Sequence, residues 1–176
     1  MIADRFEPLG PVAIGSPVKA RDLATAQTVV LLEAANMDRR LVGIFHPALI
    51  AVFAVVDHNG QALAANEFVQ ARSLTELFAD VPCHARRAAE IVAELADGVA
   101  ELHARDICHG AIGPDSAMLT AKGKAKLGLT TAVGGTEQAD LKALKVLLCT
   151  IGGQLTPAAA GSQSAATFAA LLRTSV

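Results

Sequence analysis

Two dipeptides, Cys83-His84 and Cys108-His109, each set a thiol beside an imidazole, the pair of groups that makes an activated nucleophile or half of a zinc site. Taken together they offer four ligands. Adjacent residues, however, lack the spacing by which ligands on one segment converge on an ion, so His109 is read as a buried packing residue and no metal is expected. The three cysteines, Cys83, Cys108 and Cys149, are too few and too scattered for a secreted disulfide framework, and read as reduced, partly buried thiols. Asp115 follows Pro114, where an acidic side chain serves a turn. Asp140 opens an apolar stripe and reads as a helix cap.

These residues are carried on two kinds of element. Strands are predicted over Phe6 to Gly10, Ser16 to Asp22, Thr28 to Glu33, Leu49 to Asp57 and Ala62 to Glu67. β-Branched residues concentrate in them and turn signals such as Asp57-His58-Asn59-Gly60 separate them, which predicts an antiparallel sheet. From His84 to Arg105 the period changes. Ile91, Leu95, Val99 and Leu102 recur at helical spacing, and Arg86, Glu90, Glu94, Asp97 and Glu101 take the other face. A hairpin is predicted from Met118 to Leu127 around Lys122-Gly123, then a helix with Leu141, Leu144, Leu148 and Ile151 as its buried stripe, ended by Gly152-Gly153. Thr156 to Ser164 reads as an Ala, Gly and Ser linker, and Ala165 to Arg173 as a last short helix. Strands first and helices later is an α+β order.

Composition narrows the function. With 176 residues the chain can bury one core, or two small lobes. It is 52% hydrophobic with mean hydropathy +0.42, yet no apolar run approaches the roughly 20 residues of a membrane-crossing helix, so no membrane contact is expected. The absence of Trp and Tyr and a net charge of -2 argue against nucleic acid as a partner. Met1 is followed by Asp4, Arg5 and Glu7 in place of a secretory h-region. The expected compartment is the cytosol, for a free chain or for the cytosolic part of a larger or membrane-anchored protein.

The segment from Leu9 to Asp22, with Gly10 and Gly15, resembles the glycine-rich loop and second strand of bacterial serine/threonine protein kinases. In family order follow Thr28 to Leu32 as the third strand, His46 to Ile50 before the fourth, and Asn66-Glu67-Phe68-Val69 as the hinge. Glu101 to Leu119 is similar to the catalytic-loop region, and Asp140 to Gly153 to the central helix. The resemblance covers roughly residues 5 to 153. It implies a reduced two-lobe protein-kinase-like fold as a single domain over 1–176, with a small antiparallel N-lobe over 1–66, a hinge over 67–73 and a mainly helical, truncated C-lobe over 74–176.

Phosphoryl transfer needs backbone amides and a Lys on the phosphates, oxygen ligands on magnesium, and an Asp facing the acceptor hydroxyl. At the positions matched by the resemblance, Val12 replaces the middle glycine, Pro17 the usual valine and Leu32 the phosphate lysine. Gly110 and Ala111 replace the Arg and the base Asp, Gly113 the loop Lys, and Ser116 the magnesium-binding Asn. Leu129-Thr130-Thr131 stands for Asp-Phe-Gly, and Ala132 to Glu137 is all that represents the activation segment. Lys19, beside Arg21 and Asp22, reads as a solvated strand lysine and not as a substitute phosphate lysine. Asp140 takes the framework position that holds the catalytic-loop backbone, and Asn66 the position that gates the adenine pocket. No catalytic, nucleotide-binding or metal residue is therefore expected, no cofactor, and no binding of magnesium ATP.

The implied role is that of a pseudokinase, a scaffold or regulatory protein-binding module; the alternative is a small-ligand sensor that uses the altered cleft without magnesium. His46 lies about fourteen residues after Leu32, too few for the family's regulatory helix. Its loss predicts an uncovered sheet face including Val30 and Leu32, and hence a protein partner or a homodimer there.

Overall fold

The computed structural model describes residues 1–11, 16–35, 37–129 and 135–174. Val12 and Gly15 of the glycine-rich segment, Thr130-Thr131 and residues 132–134 lie outside the described residues. The chain divides into two compact units, Met1–Phe45 with Ile50–Val69, and His46–Leu49 with Gln70–Val176.

The first unit is a five-stranded sheet in the order β1-β2-β3-β5-β4, antiparallel throughout. Its strands are β1 (Phe6–Pro8), β2 (Val18–Asp22), β3 (Thr28–Glu33), β4 (Val52–His58) and β5 (Gln61–Glu67). Alternation decides which side chains are covered. Val18, Ala20, Val29, Leu31 and Ala65 share one face and pack with Ile2 and Phe6 into the core of this unit. Val30 and Leu32 take the other face of β3 and are half-buried, so the exposed strip expected there is only partly open. The β4-β5 hairpin closes on Asn59 and Gly60, both at positive φ (54° and 78°) between the paired His58 and Gln61, as a tight two-residue turn requires. Among the described residues between β3 and β4 there is one 3-10 turn, Arg39–Leu41, and no α-helix. Leu41 and Ile44 are buried there, while Phe45 is 70% exposed with its ring 6.3 Å from that of Phe53.

Asp22, 1% exposed, fixes the start of the β2-β3 turn. The Arg5 guanidinium donates to both its oxygens at 2.8 and 2.7 Å, with the Ala24 N–H and the Thr25 hydroxyl at 3.0 and 2.9 Å. These hydrogen bonds, the fork from Arg5 foremost, hold the Asp22 carboxyl down to about 2 against the opposing effect of burial.

The second unit carries β6 (Ala71–Ser73), α1 (Leu74–Phe78), α2 (Ala85–His103), β7 (Ala117–Thr120), β8 (Ala125–Leu127), α3 (Glu137–Thr150), α4 (Pro157–Ala160) and α5 (Ala165–Thr174). The strands form a small antiparallel sheet, β6-β7-β8. The apolar stripe of α2, Ile91, Leu95, Val99 and Leu102, is fully buried. Its polar face is tied to its surroundings: Glu94 accepts from the Ala125 N–H at 2.9 Å and from Lys124 at 3.3 Å, and Asp97 pairs with Arg173 of α5. Gly98 lies under Leu49; a Cβ there would come within 2.9 Å of Leu49 Cδ2, which explains a glycine in the most regular helix.

Two local readings are corrected. The N-cap of α3 is Thr136, whose hydroxyl accepts from the Ala139 N–H at 3.1 Å; Asp140 sits one turn inside the helix. The segment read as a linker is packed. Thr156 caps α4, Ala159 is fully buried, and the Lys145 ammonium donates to the carbonyls of Ala160 and Ser162, each at 2.9 Å. Small residues pack closely here, and Thr156 followed by Pro157 is a helix start. The C-terminus of α3 is as expected: Gly152, at φ 101°, and Gly153 donate to the carbonyls of Cys149 and Leu148 at 3.2 and 2.8 Å, the paired bonds of a Schellman motif.

Candidate functional site

The chemistry-bearing residues of the second unit gather where α2 ends and the chain turns back. Asp106 adopts φ 55°, and the Ile107 N–H returns to the Leu102 carbonyl at 3.1 Å. That reversal places Cys108 beside His103 and feeds the loop 108–116 along the first turn of α3.

Asp140 organises this loop. Its Oδ2 accepts from the His109 N–H at 2.7 Å and lies 2.9 Å from His103 Nε2; its Oδ1 accepts from the Gly110 N–H at 2.8 Å. The carboxylate is 1% exposed. Burial pushes its pKa up, but the hydrogen bonds from His103, Gly110 and His109 outweigh that and leave it below the ordinary carboxylate range.

His109 is fully buried with both ring nitrogens engaged. Nε2 lies 2.6 Å from the Gly128 carbonyl, which can only accept, so Nε2 carries the proton; Nδ1 then accepts from the Ala111 N–H at 3.2 Å. Burial lowers the pKa of this imidazole, against the raising influence of Gly128 and Asp140. The Ser116 hydroxyl staples the same loop, accepting from the Gly113 N–H at 3.0 Å and lying 2.9 Å from the Ala111 carbonyl. Ala111 is exposed and has no group that could take a proton. Asp115 accepts from the Thr75 hydroxyl at 2.6 Å, a role that joins the loop to α1. Leu129 is buried.

Geometrically, then, the loop has a framework. Solved structures share the fold that carries it. The crystal structure of the Mycobacterium tuberculosis PknI kinase domain matches with a TM-score of 0.79 over 100% of this chain and 98% of that one, at 17% identity. Its C20A mutant matches with a TM-score of 0.76 over 96% and 93%, also at 17% identity. The chain has a protein-kinase-like fold. Rad53 residues 1–466, solved in complex with AMP-PNP, aligns with a TM-score of 0.65 at 18% identity, over 97% of this chain and 54% of that one. No family model matches the sequence, and no curated protein does.

In this kinase-like frame the remaining candidates fall as follows. Lys19 is exposed, its ammonium 4.0 Å from the centre of the Phe68 ring, so it caps an aromatic face and is not merely solvated. Asn66 is 5% exposed and lies across from Val30 on β3. Its amide nitrogen donates to the carbonyls of Ala64 and Val30 at 3.0 and 3.3 Å, and among the described residues no donor reaches its amide oxygen. Cys83, half-buried, donates its backbone N–H to the Ile151 carbonyl at 2.8 Å, and His84 stands exposed at the start of α2.

The two Cys-His dipeptides are not brought together into one site. Among the described residues, the group whose ligand atoms lie within 4.8 Å of one another is His103, Cys108 and Asp140. Sequence reading passed over His103, because its partner on α3 is 37 residues away; the one local signal was an imidazole five residues before a thiol. Burial pushes the Cys108 thiol up, and the charges of Asp140 and Glu137 push it further.

Proposed function

We propose that this chain is a non-catalytic kinase-like module, a scaffold or regulator that acts by binding another protein or a second copy of itself. The loop around Ala111 supports this most directly. Its backbone is held by Asp140, His109 and Ser116, while Asp115, the one acidic residue of 107–116, is engaged by Thr75. A loop kept in shape without an available carboxylate is suited to presenting a surface, and not to taking a proton from a hydroxyl. The reading includes no cofactor, no magnesium ATP and a cytosolic setting. No helix among the described residues is long and apolar enough to cross a membrane.

The contact surface we assign is the β3 face with Val30 and Leu32, both half-buried. The test is light scattering during gel filtration at micromolar concentration, on the parent and on Val30→Glu and Leu32→Glu. A dimeric parent, or one that retains a protein partner, with folded variants that do not, is expected. A monomeric parent that binds no protein through this face would refute the assignment.

One observation favours the alternative, a small-ligand sensor. Asn66 is 5% exposed and among the described residues no donor reaches its amide oxygen; an unmet buried acceptor is destabilising by about 1–3 kcal/mol. A ligand N–H or O–H would satisfy it. Nucleotide-free small-molecule binding that is lost in Asn66→Leu would support that reading.

A further inference from the structure

Beyond the proposed binding role, the end of α2 carries a mixed set of donors that phosphoryl transfer does not call for. We propose that His103 Nε2, Cys108 Sγ and Asp140 Oδ2, with the carboxylate of Glu137 as fourth ligand, form a zinc site that clips the loop after α2 to the first turn of α3.

The three ligand atoms already lie within 4.8 Å of one another. Around a tetrahedral zinc with bonds of about 2.0–2.3 Å, ligand atoms stand roughly 3.3–3.7 Å apart. His103 Nε2 and Asp140 Oδ2, now 2.9 Å apart, need open by only a few tenths of an ångström, and Cys108 need only rotate inward. Asp140 is held in place by the N–H groups of His109 and Gly110, the outer support that ligating carboxylates use. Glu137 stands one helical turn before Asp140 on the same face of α3. It is exposed, so its side chain is free to turn toward the group. Gly135 closes the other side: a Cβ there would come within 3.2 Å of Cys108 Cβ.

Charge points the same way. One carboxylate and a thiol meet one imidazole, a second carboxylate stands one turn before on α3, and no Lys or Arg among the described residues pairs with Asp140 or Glu137. A divalent cation would balance them. Sulfur and imidazole nitrogen select zinc over magnesium or calcium, which take oxygen. On binding, Cys108 releases its proton to solvent, and the His103 proton moves to Nδ1.

The experiment uses the full chain stripped with EDTA, then given zinc or magnesium in thermal melts, and cobalt(II) for absorption spectroscopy. Zinc is expected to raise the melting midpoint and magnesium to leave it unmoved, while cobalt gives a thiolate charge-transfer band with tetrahedral visible bands. Cys108→Ser and Glu137→Gln should each weaken zinc by about tenfold or more, the first also abolishing the thiolate band. Cys149→Ser, which alters an exposed thiol elsewhere, should behave as the parent. No zinc response in the parent, unchanged affinity in Cys108→Ser, or a response lost in Cys149→Ser would overturn the site; unchanged affinity in Glu137→Gln would remove Glu137 from it.

Discussion

Asp140 accepts the backbone N–H of His109 at 2.7 Å across 31 residues of sequence, and this bond fixes the loop that in a kinase-like fold would carry the catalytic base. The anchor serves the backbone and takes no part in proton transfer. A buried carboxylate that accepts two N–H groups and an imidazole is a framework element whatever stands at position 111.

Asp140→Asn is expected to lower stability by about 2–4 kcal/mol. The amide keeps one oxygen, but turns an NH2 toward a donor that the carboxylate had satisfied. Urea unfolding reads this directly. A loss within about 0.5 kcal/mol, the range of a neutral surface substitution, would mean the anchor is dispensable.

Asp22 sets an acid limb of stability. Its folded pKa is about 2, whereas an unfolded Asp titrates near about 3.9. Between these values the unfolded chain binds the extra proton, so stability is fully present above about pH 4 and is lost as pH falls toward 2. Arg5 is partly exposed, and screening limits the contribution to roughly 1–2 kcal/mol. Asp22→Asn should therefore be less stable than the parent at pH 6, with the gap narrowing on acidification. Chemical unfolding as a function of pH measures both arms, and a gap constant down to pH 2 would contradict the assignment.

Much of this architecture could be read from the residues. The stripe Ile91, Leu95, Val99 and Leu102 is buried without remainder, since helical period alone selects a face. The alternation along Thr28–Glu33 likewise separated Val29 and Leu31 from Val30 and Leu32. What escaped was tertiary. Asp140 and Thr136 are both fair caps by type, and only the arrival of the His109 loop decides that Asp140 faces inward. The burial of Ala159 depends on Lys145 reaching two carbonyls from another helix, which composition cannot register. For His103 the one local signal is Cys108 five residues on, because its partner Asp140 arrives only once α2 and α3 meet.

Gly98 tests the packing of α2. Replacing glycine with alanine within a helix gains about 1 kcal/mol of propensity, but the new methyl meets Leu49 at 2.9 Å and Ala48 at 3.3 Å, an overpacking cost of about 1–3 kcal/mol. Gly98→Ala is expected to destabilise by about 1 kcal/mol on balance. In a Leu49→Ala background the same change should be neutral or stabilising, because the obstruction is gone. Equal effects in both backgrounds would show that Leu49 is not what excludes the methyl.

The measurement closest to the central claim is the thermal melt of the full chain with millimolar magnesium ATP. The non-catalytic account expects no movement of the midpoint. If ATP bound with a dissociation constant one hundredth of its concentration, linkage would add about 2.7 kcal/mol and raise the midpoint by about 5–10 °C. A reproducible rise of that size, present with magnesium and absent without it, would contradict the account.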